Sequence, residues 1–367
     1  MKRKVVVLKV SSYNLDLLKF KIREALERYF PLEELFSYAD TVLLKPNLLM
    51  VSSPEAAITT HPLFIEAIGQ IFREAGFKVC IADNSGNFGT TKDMDEVYKG
   101  CGLKEVALRN NFELLYPEKT YLIDNIPFSW WTKEFIIINL PKLKTHELTI
   151  LSLATKNLYG CINGLYKSYL HKLYPKTNDF VEILIKLYHT IKPKLNIVDG
   201  IVSLEGEGPA TKGRPKRTEL VIIGDDTLYT DYVISEIINL PPRVNPLIKR
   251  AQQNDLLDLD KLEVIYELDQ NKIKDFKFPS TYILNYFPHF IIKLASFLFK
   301  LQPKIDKIKC TGCRDCLEVC PNNAIILRQG IAVIDYSKCI LCMCCYEVCR
   351  FGAVDIKKSF PFKLLHR

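Results

Sequence analysis

The stretch EFIIINLPKLKTHE, residues 134–147, sets the fold class. Its first half is a short, continuous apolar run, which reads as a buried strand. Its second half brings Lys142, Lys144 and His146 together, where a simple turn would favour Asn, Asp or Gly. Similar apolar runs recur at 5–10, 41–45, 77–82, 194–200 and 219–224. Helical patterns fall between them at 15–30, 61–76, 177–191 and 227–240. This alternation predicts an α/β domain over residues 1–275, a mostly parallel sheet with helices on both faces.

Each predicted strand is followed by polar groups. Lys45 and Asn47 follow the second, Asp83 the third, Lys142, Lys144 and His146 the fourth, and Asp199 and then Glu205 the fifth. Ligands of open parallel sheets bind outside the carboxyl ends of strands. These residues therefore predict the rim of a cleft, with PKLKTHE as its basic wall. Lysines crowded by other cations stabilise anions, or lose a proton and act as bases. The following stretch adds Lys156 and Asn157, with Gly160 and Gly164 allowing close backbone approach. Lys142, Lys144, His146, Lys156, Asp199 and Glu205 are the catalytic candidates. Lys45, Asn47, His61, Asp83 and Asn157 are substrate-contact candidates, although His61 also fits a helix start before Pro62. Asp83, Asp199 and Glu205 are candidates for acid–base work or a further metal. No Walker A or dinucleotide-binding glycine fingerprint is present.

The chain has 367 residues and a net charge of +8, spread without a long basic run, which argues against nucleic acid and fits an acidic small molecule. The basic opening is too short for a signal peptide and no apolar stretch of spanning length occurs, so the expected location is the cytoplasm.

Twelve cysteines are present, nine of them between 310 and 349. CTGCRDCLEVCP and CILCMCCYEVCR both read C-x2-C-x2-C-x3-C. Three thiolates of each run wrap one cubane while the fourth reaches the other. Cys310, Cys313, Cys316 and Cys349 are assigned to one [4Fe–4S] cluster. Cys339, Cys342, Cys345 and Cys320 are assigned to a second, and Cys344 is left over. Cys80, Cys101 and Cys161 read as structural. Residues 306–358 thus predict a small α+β two-cluster domain like bacterial ferredoxins, with Arg350 where proline is usual. Exposed low-potential clusters suggest a low-oxygen cell. Between the domains, 276–305 reads as an amphipathic helix with basic residues on one stripe. Packing across the protein is the preferred reading, and membrane-surface contact through 289–304 the alternative.

The motifs KPNLL (45–49), TTHP (59–62), ADNSG (82–86), PKLKTHELT (141–149), KNLYGCINGLYK (156–167) and IVDGIVSLEGEGP (197–209), with Asp225 and Asp231, resemble the domain-of-unknown-function family 362. Many members carry such a ferredoxin tail. The resemblance implies iron–sulfur binding and a redox setting, but no substrate. Together these readings predict an iron–sulfur oxidoreductase that passes electrons from two clusters to a small anionic substrate and meets a redox partner protein. The alternative is an electron carrier or redox sensor without its own catalysis. Oligomeric state is not legible.

Overall fold

The computed structural model describes residues 2–36, 39–86, 91–267, 273–286 and 301–358. Twelve strands belong to the large domain: β1 (Arg3–Lys9), β2 (Thr41–Pro46), β3 (Lys78–Ile81), β4 (Glu113–Leu114), β5 (Thr120–Ile123), β6 (Ile126–Ser129), β7 (Ile136–Leu140), β8 (Lys142–His146), β9 (Ile150–Ser152), β10 (Leu195–Gly206), β11 (Gly213–Gly224) and β12 (Leu262–Glu267). All but the β5–β6 hairpin join one sheet, in the order β12-β1-β11-β10-β7-β2-β3-β4, with β8 on β10 and β9 on β8.

The sheet is mixed rather than mostly parallel. Strands β2, β3, β4 and β7 run parallel to their neighbours. Strand β11 is antiparallel to both β10 and β1. The cause is local: only 207–212 separate β10 from β11, and a connection that short makes a hairpin, whereas parallel neighbours need a crossover. The glycine-rich segment 205–215 is therefore the tip of a long hairpin arm.

Consecutive side chains of the central strands enter opposite cores, as the pleat requires. Val5, Val7, Leu43 and Ile222 lie in one core. Val6, Leu8, Leu44 and Ile223 lie in the other. Helices Leu15–Tyr29 and Pro62–Glu74 cover the second core, and Thr177–Thr190 and Thr227–Ile237 cover the first. Their starts are fixed by side chains: Asn14 accepts from Leu17 N, His61 from Leu63 N, and Asp226 from Leu228 N.

The tail begins earlier than its first cysteine. Leu301–Ile305 (β13), assigned from sequence to the linker helix, is a strand antiparallel to β16 (Val354–Lys358). Of the rest of that predicted helix, Ser280–Tyr286 is a 3-10 helix and residues 287–300 lie outside the described residues. Strands β14 (Ile325–Arg328) and β15 (Ile331–Ile334) form the expected hairpin. The tip of the β10–β11 arm holds the tail: Tyr346 Oη donates to Glu207 O (2.5 Å) and Thr211 Oγ1 to Cys349 O (3.3 Å). Among the described residues, no helix is long and apolar enough to cross a membrane.

Candidate functional site

The stretch PKLKTHE is itself a strand. β8 pairs in parallel with β10 and antiparallel with β9. Lys142, Lys144 and His146 stand at every second position, so the pleat aims them to one side. They do not share one environment. Lys142 Nζ lies 2.8 Å from Asp199 Oδ2 and 2.9 Å from Tyr13 Oη, and Tyr13 also donates to Asp199 Oδ1 (2.8 Å). The His61 ring stacks on Tyr13 at 3.6 Å, and its backbone N–H donates to Asp199. Lys142, Asp199 and His61 thus form a closed cluster outside the cavity described next. Glu205 lies apart again, accepting from Lys277 N (2.9 Å) and facing Lys216 (3.4 Å).

Lys144 and His146 open instead onto a cavity between the large domain and the tail, about 690 Å³ with its mouth included. Lys156, Asn157, Asn47 and Asp83 join them there, as does Lys167. Lys45 sits just behind, its Nζ 2.7 Å from Asp83 Oδ1. Gly160 lies over this pair; a Cβ there would fall 2.1 Å from Asp83 Oδ1, so only glycine fits. A run of amides braces the wall: Asn47 donates to Asn157 (3.0 Å), Asn157 to Asn139 (2.8 Å), and Asn139 to Asn196 (2.9 Å).

The cavity's cations are incompletely matched. Lys144 Nζ donates to Ile58 O (2.8 Å), and Lys167 Nζ to the carbonyls of Asn84 and Ser85. Lys156 Nζ has no hydrogen bond or ion pair among the described residues, only the Tyr159 ring at 5.8 Å. Burial, reinforced by Lys156, lowers Lys144 to about 7. Burial lowers Lys167 to about 8 and also lowers Lys156. Two acceptors, Asn47 Oδ1 and Asn84 Oδ1, are buried without partners.

The tail closes the cavity with Val319, Cys344, Glu347 and Val348. His146 Nδ1 accepts from Leu148 N (3.1 Å), which puts the ring proton on Nε2. Burial and Lys156 lower His146 to about 4, so it is neutral at ordinary pH. Nε2 lies 3.1 Å from Glu347 Oε1, but out of line for a directed hydrogen bond. Burial pushes the Glu347 carboxyl up, yet His146 and Lys156 outweigh it and hold the group well below its ordinary range.

Two smaller cavities separate the tail cysteines as their spacing predicts. Cys310, Cys313, Cys316 and Cys349 line one; Cys320, Cys339, Cys342 and Cys345 line the other, together with Cys344. Several backbone features repeat between the two runs. Gly312 and Leu341, Arg314 and Met343, and Asn323 and Gly352 all take positive φ at matching places. Ala324 N donates to Cys320 Sγ and Ala353 N to Cys349 Sγ, each at 3.2 Å. Such N–H···S bonds tune iron–sulfur potentials. Among the described residues, no group of His, Cys, Asp and Glu closes tightly enough for a single metal ion. A cubane holds its thiolates further apart than a lone ion does, and the cysteines lining the two cavities suit that wider spacing. Arg350 Nε, at the expected proline position, bonds Asp315 Oδ2 across the two runs (2.8 Å).

Asn84, Lys167 and His171 stand in sequence beside the predicted cleft residues but were given no role there, and Cys344 and Glu347 were missed as cavity residues. Lys167 and His171 stand four apart on helix Tyr166–Leu173, hence on one face, a signal that was available. Glu347 had no comparable signal, because its contact depends on how the tail docks.

An α/β domain joined to a ferredoxin-like [4Fe–4S] tail defines an iron–sulfur electron-transfer protein. The family model for a 4Fe-4S dicluster domain matches residues 302–350. That for Domain of unknown function (DUF362) matches residues 42–236, and the chain belongs to this family. A thylakoid-associated protein of Synechocystis sp. is 30% identical over 266 residues, covering 69% of this chain and 80% of that protein. Among solved structures, a loganic acid methyltransferase with SAH matches at 12% identity over 84% of this chain and 78% of that one. Its TM-score of 0.26 carries no statement about fold.

Proposed function

We propose that this protein is an iron–sulfur oxidoreductase acting on a small anion held in the cavity between the large domain and the tail. The observation that carries this reading is the excess of cations in the cavity: Lys144, Lys156 and Lys167 face it with Asp83 and Glu347, Asp83 is already paired with Lys45, and Lys156 makes no direct ion pair, feeling Glu347 only at longer range. Partly buried cations in excess of their counter-charges favour an anionic ligand. Two bound [4Fe–4S] clusters would supply electrons one at a time, replenished by a redox partner protein.

The chain's own residues would bind the ligand and manage its protons. Lys156 and Lys144 hold the anionic end. A lysine near about 7 also gives up or takes a proton at little cost at ordinary pH. Neutral His146 offers its Nε2 proton. Asn47 Oδ1 and Asn84 Oδ1 accept from donor groups on the ligand. Val319 and Val348 exclude water from the tail side. Lys142 and Asp199 support the strand, and Glu205 the hairpin arm, without touching the ligand.

The test uses protein purified without oxygen, with its clusters photoreduced. Small carboxylates and phosphates that also carry a reducible carbonyl or conjugated double bond, which would take up the electrons and protons, are added one at a time, and visible absorbance is followed. Reoxidation by one class, lost in Lys156→Ala with iron content unchanged, is the expected result. Reoxidation by none of them above the buffer rate contradicts the proposal.

A further inference from the structure

The leftover cysteine of the second run has a distinctive place. Cys344 lines the basic cavity and also the cavity of the second cysteine set. The cavity of the first set shares no residue with the basic cavity. Cys344 is 5% exposed and packs with Val319 and Val348 against Cys342, so the dividing wall is thin and apolar. Cys342, one of the second set, is thus a packing neighbour of its side chain. On the cavity side, Lys156 and Tyr159 are its charged and aromatic neighbours. An independent feature points to a ligand on that side: Asn84, 3% exposed, presents an unpartnered Oδ1 in the same cavity.

We propose that Cys344 is a positioning residue that couples the basic cavity to the second cysteine set alone, by donating its S–H to Cys342 Sγ from the shared wall. This rests on the cavity being a ligand site, as proposed above. A hydrogen bond to a cluster thiolate stabilises the more negative, reduced form and raises the potential. An anion drawn to Lys156 sits across the wall and changes that bond's surroundings. The first set, around Cys310 and Cys313, has no such wall and is insulated from the ligand.

The experiment uses the full-length, iron-replete protein, with redox titrations followed by electron paramagnetic resonance. Wild type, Cys344→Ala and Cys344→Ser are compared. Without added ligand, Cys344→Ala is expected to lower the midpoint of one cluster and leave the other unchanged, at unaltered iron content. Cys344→Ser, which keeps a donor, is expected to recover part of the shift. Unchanged midpoints, or equal shifts of both clusters, overturn the proposal.

Inorganic phosphate is then titrated into wild type. A perturbation of that same cluster's signal, abolished in Cys344→Ala, completes the expected pattern. Equal perturbation in wild type and Cys344→Ala overturns the coupling role. Phosphate and small carboxylates that fail to bind at all, alongside the expected midpoint shift, would instead sink the anion-site reading and leave the Cys344–Cys342 bond standing.

Discussion

Lys142 and Lys144 lie two residues apart on β8, both fully buried, and they do different things. Lys142 is neutralised on the spot by Asp199, with Tyr13 completing the contact. Lys144 has one backbone carbonyl and looks onto a cavity where Lys156 makes no direct ion pair and only Glu347 acts on it from a distance. A closed ion pair stabilises a fold, whereas an unmatched cation is held ready for something else. Sequence alone presents the two lysines as equivalent; only the partner distinguishes them.

The largest expected effect breaks the closed pair. Asp199→Ala strands a buried ammonium and should cost about 3–5 kcal/mol in denaturant unfolding of the iron-replete protein. A loss below about 1 kcal/mol would mean that Lys142 sheds its proton easily, and the contrast with Lys144 would fade. Next comes the open cation. Lys156→Ala should leave stability nearly unchanged and weaken anion binding about 10–100-fold, as expected for a charge-assisted contact of about 1.5–3 kcal/mol. Calorimetric titration checks this.

Changing pH sharpens the comparison. Lys144 is lowered by burial and Lys156 from 10.5 to about 7. Between those values the unfolded chain binds a proton that the folded chain does not, so stability should rise with pH from about 7 to 10.5. Anion affinity should fall over the same window, since the ammonium is lost. Unfolding and binding curves at several pH values test the opposed slopes; parallel slopes would contradict the assignment. The smallest effect is at Glu347. Glu347→Gln removes the tail's negative charge from the cavity and should tighten anion binding severalfold, with iron content unchanged.

Legibility differed between the two halves for a physical reason. In the tail, spacing within some forty residues marks out two four-cysteine sets, and each set lines its own cavity, the second together with Cys344. The basic cavity draws on β2, β8, three helical segments and the docked tail. Its strand-end members, Asn47, Asp83, Lys144, His146, Lys156 and Asn157, were legible as polar groups after apolar runs. Asp199 and His61 carry the same signal, yet they belong to the Tyr13 cluster. The reading of 142–146 only as a basic cleft wall after a strand overlooked its period of two, which marks a strand of its own. The mostly parallel expectation is corrected at 205–215, where the glycine-rich connection makes a hairpin and sets β11 antiparallel to β10.

The central claim is that the unmatched cations between the domains hold a small anion. Its most direct test is the melting temperature of the iron-replete protein across a panel of small carboxylates and phosphates at pH 6.5, in wild type and Lys156→Ala. A ligand that binds only the folded state raises that temperature in proportion to its affinity. At least one anion class should stabilise wild type and have little effect on the variant. No stabilisation by any anion, or equal stabilisation of both proteins, would contradict the claim.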